Sequence, residues 1–175
     1  MSTTTTPMFT SAERTKAEAI TKKNATKPVY TGNGTFAQGL IWNNHKDNKT
    51  LLLNDQHDWS KNPVKFYPLN MIPSDFEKPN YLGHQAPLPI GAKGGVVYVD
   101  GKGPAARKWL VAFDCVQNKV FVEAGAMGPT DWNAVEMKIG KSGSTSEYED
   151  PIFHGKAQAE IHPDNNINVL YVRFT

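Results

Sequence analysis

The run "RKWLVAFDCVQNKVFVEAG", Arg107–Gly125, decides the fold class. In its first half Trp109, Val111 and Phe113 share one face, the period-2 alternation of a strand. Leu110 and Ala112 make the opposite face partly apolar as well. "CVQNKV" then separates this run from "KVFVEAG" with the composition of a tight hairpin. Upstream, "VDGKGPAARKW" reads as a longer hairpin that feeds the same run. Working outward, further short β-type runs are "TFAQGLIWN", "KTLLLN", "VKFYPL", "GGVVYVD", "KAQAEIH" and "NVLYVRF". In "KAQAEIH" the residues Ala157, Ala159 and Ile161 face one way, and Lys156, Gln158 and Glu160 the other. Gly, Pro, Asn and Asp break these runs at short intervals, so the pattern predicts a mainly β antiparallel sandwich or barrel.

Two segments depart from it. "SAERTKAEAITKKN" predicts a surface helix over 11–24, capped by Ser11, with a thin apolar stripe of Ala12, Ala19 and Ile20 and with Phe9 just before it. "GPTDWNAVEMKIGKSG" predicts a short helix near 130–139, with Thr130 as cap, Asp131 in the first turn and Gly140 as stop. Residues 1–10 read as a disordered Thr-rich tail and 11–175 as one domain, with the sandwich over 29–175. "NATKPVYTGNG" reads as a connector and "KSGSTSEYEDP" as a polar loop.

Composition closes several function classes. With 39% hydrophobic and 21% charged residues the chain can build a core. A net charge of +2 is too balanced for nucleic acid, which needs a concentrated basic face. No apolar run reaches a membrane span, and "MSTTTTPMFTSAERTK" has no leader core, so cytoplasmic synthesis without a signal peptide is expected. The sequons at Asn24, Asn33 and Asn48 then read as chance matches. The single Cys115 excludes an internal disulfide, and the five histidines show no zinc spacing. No metal, cofactor or catalytic group is therefore expected.

The candidate chemistry is sparse. His57 and Asp58 are adjacent, and adjacent strand residues face opposite ways, so they make no dyad. "IGAKGG" lacks the spacing and the following helix of a phosphate loop, and reads as a turn. Cys115 reads as a structural thiol, and lone histidines in turns read as solvated. What stands out is the set of aromatics in or beside loops: Trp59, Phe66, Tyr67, Phe76, Tyr81 and Trp132. Trp59 with Lys61 in "DWSKNP" suits a lipid headgroup interface.

"IWNN", "TLLLNDQHDWSKN", "YPLNMIP" and "PIGAKGGVVYV" lead into "WLVAFDCVQNKVFVEAG" and "DWNAVEMKIGKSG". This order resembles the plant jasmonate-induced protein family and its nakanori-like fungal relatives over nearly the whole chain after the tail. More distantly it is similar to the actinoporins, whose sandwich architecture fungal fruit-body lectins share. The resemblance implies an actinoporin-like β-sandwich that binds sphingomyelin together with cholesterol. Carried over from the actinoporin headgroup pocket, the strand-end serine falls on Asp114 and the proline on Val116. The helix tyrosines fall on Trp132, Glu136 and Met137, and the early-loop serine on Ser60. Only Trp132 keeps an aromatic, so the choline pocket is largely rewritten. The pore-forming helix is replaced by the charged "ERTKAEAITKK". The expectation is a non-lytic lipid-binding protein, peripheral on membranes rich in sphingomyelin and cholesterol. Its contact zone is Trp59, Ser60, Lys61, Phe66, Tyr67, Tyr81, Asp114 and Trp132. The alternatives are a soluble lectin on the same sandwich, with Trp59 or Trp132 stacked on a sugar, or a stress-induced protein without a small ligand.

Overall fold

The computed structural model describes residues 7–24, 33–73, 78–164 and 167–175. The tail up to residue 6, the connector over 25–32 and Phe76 lie outside the described residues.

Helix α1 (Ser11–Asn24) is followed by β1 (Gly34–Asn43), β2 (Leu51–Asp58), β3 (Val64–Phe66), β4 (Asn70–Met71), β5 (Asn80–Pro87) and β6 (Lys93–Val99). Then come β7 (Arg107–Asp114), β8 (Lys119–Ala126), α2 (Trp132–Lys141), β9 (Thr145–Glu149), β10 (Lys156–Asp164) and β11 (Ile167–Phe174). They form a β-sandwich of a six-stranded sheet, β3-β5-β1-β11-β10-β9, on a five-stranded sheet, β4-β2-β6-β7-β8. All pairs are antiparallel except β1 with β11, which run parallel. The antiparallel sandwich expected from the alternation is present, with this one parallel pair inside it: the two strands come from opposite ends of the chain, so no hairpin dictates their direction.

The alternation in Arg107–Asp114 resolves into two clusters. Trp109, Val111 and Phe113 join Ile41, Ala157, Ile161, Leu170 and Phe174 between the sheets. Leu110 and Ala112 point outward and are buried by Val135 and Ile139 of α2. The second apolar face of that strand is thus the seat of a helix, and β7 is apolar on both sides because both are covered.

α1 lies outside the six-stranded sheet. Thr10 and Glu13 form a reciprocal capping box: Thr10 N–H donates to Glu13 Oε2 at 2.7 Å, and Glu13 N–H to Thr10 Oγ1 at 3.1 Å. The cap is therefore Thr10 and not Ser11. The inward residues are Ala17 and Thr21, whereas Ala12 and Ala19 are exposed. The anchor is Phe9, 1% exposed against Trp42 and Tyr171; burying such a ring contributes about 1.5–3 kcal/mol. Arg14 adds a 2.7 Å ion pair to the buried Glu160, and Arg173 pairs with Glu13. Residues 7–10 thus pack onto the sheet, which corrects their assignment to a disordered tail.

Asp131, not Thr130, caps α2 by accepting from Ala134 N–H at 3.1 Å, and the helix runs through Gly140 to its C-cap at Ser142. Two strands have no clear signature in the sequence. "NYLGHQAP" forms β5 because β1 and β3 pair with it on both sides. "TSEYE", read within a polar loop, forms the edge strand β9 beside β10. An edge strand with little burial shows no apolar alternation. "VKFYPL" is a strand only to Phe66. Two histidines read as solvated are buried: His45 at 3% and His84 at 0% exposure.

Candidate functional site

At one end of the sandwich the terminus of β2 meets the start of β6 and the N-terminus of α2. A bulge between Leu53 and Asp55 resets the register of β2 against β6. His57 then lies opposite Gly95 on the face under α2, while Asp58 lies opposite Gly94 and turns inward. The adjacent His and Asp therefore serve two different environments.

On the outer side Trp59, His57 and Trp132 form one aromatic cluster. His57 stacks on Trp132 with centroids 5.5 Å apart, and Trp59 meets His57 edge-on at 4.9 Å and Trp132 at 6.0 Å. Trp132 Nε1–H donates to Asp55 Oδ2 at 3.0 Å, which fixes the indole. Gly95 makes room for it: a Cβ there would stand 2.6 Å from Trp132 Cζ3. Both tryptophans are half-buried, on the same end of the molecule. Lys93 completes the cluster. Its Nζ lies 5.7 Å from the Trp59 ring centroid, 2.9 Å from Glu136 Oε1 and 3.8 Å from Asp114 Oδ2.

The neighbouring loops are laced together. The Ser60 hydroxyl donates to Gly91 C=O at 2.6 Å and accepts from Lys93 N–H at 2.8 Å. Cys115 N–H donates to Ala92 C=O at 3.0 Å, and Thr35 Oγ1 accepts from Ala92 N–H at 2.7 Å. This lacing leaves Leu88 and Val116 standing out, 47% and 51% exposed, on loops that touch through Gly91.

On the inner side Asp58 Oδ1 accepts from His84 Nε2 at 2.8 Å, and its other oxygen pairs with Lys65. Burial alone would raise the Asp58 pKa, but the hydrogen bonds and charges of His84 and Lys65 outweigh it and hold the carboxyl below its usual range. Gly94 leaves space for His84 Nε2 and Tyr67 Oη, each 3.0 Å from where a Cβ would sit. This triad ties β2, β3 and β5 together beneath the tryptophans. Burial pushes the Cys115 thiol up, as expected for a structural cysteine.

The eight sequence-derived contact residues separate accordingly. Trp59, Ser60, Lys61, Asp114 and Trp132 gather at this end. Ser60 spends its proton on the backbone and acts as a pin. Asp114 is 4% exposed and caps the β7–β8 turn by accepting from Gln117 N–H at 3.1 Å. Tyr67 is a core residue at 6% exposure, because the chain turns inward after β3, so it is removed from the contact zone. Phe66, 59% exposed, stacks on Tyr81 at 6.5 Å beside the outer face of the six-stranded sheet, away from the tryptophan cluster. Two groups have no counterpart among the expected contacts: Lys93 is hidden inside an apparent glycine turn, and Leu88 carries no motif. His57, which makes no dyad with Asp58, is instead one ring of the aromatic cluster. The glycine pair after Lys93 was the available signal, since it marks a strand that something large approaches closely.

Among the described residues no group of His, Cys, Asp or Glu could hold a metal ion, and no helix is long and apolar enough to cross a membrane.

No family model matches the chain, and no curated protein does. Among solved structures the chain is similar to the lipid-binding protein nakanori at 11% identity and a TM-score of 0.64, over 94% of this chain and 78% of that one. It is also similar to the Xerocomus chrysenteron lectin XCL. The wild-type lectin gives 11% identity and a TM-score of 0.51 over 81% of this chain and 99% of that one, and a triple mutant gives 10% and 0.53. At these identities the likeness is one of fold: this chain is a mainly β sandwich of the architecture found in nakanori and in XCL.

Proposed function

We propose that the protein binds membrane lipid at its tryptophan end without lysing the membrane, preferring sphingomyelin together with cholesterol. One observation carries the reading: Trp59 and Trp132 meet in one half-exposed cluster over Lys93, bordered by the exposed Leu88 and Val116. Indole rings with a polar edge favour the membrane interface, and the aliphatic pair reaches past them toward the acyl region. Lys93 offers its ammonium to the headgroup phosphate in exchange for Glu136, and the rings face the choline cation. The fold shared with a lipid-binding protein supports the assignment. Synthesis in the cytoplasm and peripheral attachment belong to the same proposal.

Four side chains, each about half buried in lipid, give roughly 3–6 kcal/mol at about 1.5–3 kcal/mol per full burial. That sustains a dissociation constant only between several millimolar and tens of micromolar, so lipid selectivity must come from the headgroup contacts. Vesicle sedimentation tests the reading. Sphingomyelin/cholesterol vesicles should pull down more protein than phosphatidylcholine vesicles and leak no entrapped dye; equal sedimentation on the two would refute the preference, and leakage the non-lytic part. Trp59→Ala should weaken binding roughly tenfold.

The second reading, a lectin, has support in the fold shared with XCL. In that case Trp59 stacks on a sugar ring, and a glycan array would give hits that Trp59→Ala abolishes.

A further inference from the structure

A groove lies on the opposite broad face, where α1 crosses the outer side of the six-stranded sheet. Its volume is about 570 Å³, within the range of about 300–1,000 Å³ that holds small molecules. β11 supplies an apolar floor, Ile167 and Val169, with Tyr171 at the α1 side. α1 forms one wall, where Arg14, Glu18 and Lys22 follow at intervals of one helical turn and so share a face.

The charges do not cancel. Glu160 is already committed: Arg14 holds its Oε1 at 2.7 Å, and His162 Nε2 lies 3.2 Å from the same atom. With that pair set aside, Lys22 stands against two carboxylates, Glu18 and Asp164, and the rim is net negative. The same sign reaches the floor. Burial raises the Tyr171 pKa most, and Glu18 and Glu160 raise it further, with Arg14 opposing them.

Exposed carboxylates alone hold a cation weakly, because water screens them. Two buried groups at the floor add what the rim lacks. Gln38 and Tyr171 are 4% and 5% exposed, and both line the groove. Gln38 Nε2 donates to Tyr81 Oη at 3.3 Å, which leaves the Gln38 carbonyl oxygen. Among the described residues neither that oxygen nor Tyr171 Oη has a hydrogen-bond partner. Two buried acceptors beside a carboxylate match the three N–H donors of a primary ammonium. A quaternary ammonium has no donor to give them, and an anion meets the wrong charge.

We propose that this groove binds a primary aliphatic amine, with its ammonium between Glu18, Gln38 and Tyr171 and its chain on Ile167 and Val169. The site is independent of the lipid reading and does not rest on it. Lys22 opposes the ligand, since its like charge at the rim weakens binding. A lysine side chain carries the same group on a four-carbon chain, so a free amine and an exposed lysine share this chemistry.

The test titrates the full chain, ¹⁵N-labelled and at low salt, with n-pentylamine and separately with Nα-acetyl-lysine methylamide. 1-Pentanol, pentanoate and tetramethylammonium control for shape, sign of charge and donors. Pentylamine, taken to about 20 mM so that millimolar binding is seen, should shift the amides of Gln38, Val169 and Tyr171 and leave those of Trp59 and Trp132 in place. Shifts with pentylamine alone support a free amine as the ligand; shifts with both amines support a lysine side chain as well. Glu18→Gln should weaken pentylamine about two- to fivefold, and Lys22→Gln should strengthen it by a similar factor. Both residues are exposed on α1, so neither change threatens the fold. Tyr171→Phe, which removes only a hydroxyl, should weaken the amine up to about tenfold. A wild-type-like amide spectrum reports that each variant is folded. Absence of shifts with both amines overturns the proposal. So do shifts confined to the tryptophan end, equal binding of any of the three controls, or unchanged affinity in all three variants.

Discussion

Replacing Gly95 by Ala should loosen the tryptophan site and destabilise the protein, because the indole of Trp132 occupies the place of the missing methyl. The new Cβ would stand 2.6 Å from Trp132 Cζ3, 3.3 Å from Cη2 and 3.2 Å from Ala112 Cβ. Carbon atoms rest about 3.5–4.0 Å apart, so the ring must retreat by roughly 1 Å. It cannot do so freely. Asp55 holds its Nε1–H at 3.0 Å, His57 is stacked on its face, and Trp132 is the first residue of α2. Overpacking of this kind costs about 1–3 kcal/mol. Ala itself is better than Gly in a strand by about 0.5–1 kcal/mol, so the clash must exceed that to show. For a chain of this length 1 kcal/mol moves the melting temperature by about 2–4 °C, and the expected drop is several degrees. The decisive assay is a double-mutant cycle by urea denaturation. In a Trp132→Ala background the two Trp132 contacts of the added methyl are gone and Ala112 Cβ at 3.2 Å remains, so Gly95→Ala should cost much less there, with a coupling of at least about 1 kcal/mol. If Gly95→Ala costs as much without the indole as with it, Trp132 does not pack as described.

Three other outcomes are expected. The Asp58 carboxyl has a folded-state pKa below the unfolded value of about 3.9, so its contribution is complete above that value and is lost as pH falls through the folded one. Asp58→Asn should therefore lower stability at neutral pH but remove part of the decline below about pH 4, and parallel acid-unfolding curves for the two proteins would contradict the His84–Asp58–Lys65 triad. Because burial raises the Cys115 thiol and covers it, aromatic disulfide reagents should label it only on unfolding; rapid labelling of the native protein at neutral pH would show that the Ala92–Cys115 lacing opens. Ser60→Ala leaves the Lys93 N–H without its acceptor, at about 1–2 kcal/mol, and should weaken vesicle binding by disordering Trp59 rather than by loss of a headgroup contact; restoration by Ser60→Thr would confirm the role as a pin.

Much of the sandwich is written in the chain because alternation is a local property. Trp109-Val111-Phe113, Ala157-Ala159-Ile161 and the hairpin at Cys115–Asn118 each require only that successive side chains point to opposite faces. The two helices are equally local, although their caps moved by one residue to Thr10 and Asp131, where a side chain reaches a free N–H three residues on. The tryptophan residues were legible as unusual, since rings beside turns are not accounted for by a period.

What the sequence could not contain is which distant groups meet. β5 and β9 have weak patterns; β5 is a strand because β1, remote in the chain, pairs with it, and β9 because the following strand β10 does. The parallel alignment of β1 with β11 joins the two ends of the chain, and no turn encodes it. Tyr67 and Phe66 are adjacent, yet one is core and the other exposed, because β3 ends between them. Lys93, Trp59 and Trp132 are separated by dozens of residues; they form one site because a bulge in β2 sets its register and Gly95 lets an indole lie against the sheet. Local periodicity thus determined the strands and helices of this protein, whereas contacts between residues remote in sequence, which depend on register and on space left by small residues, decided the site.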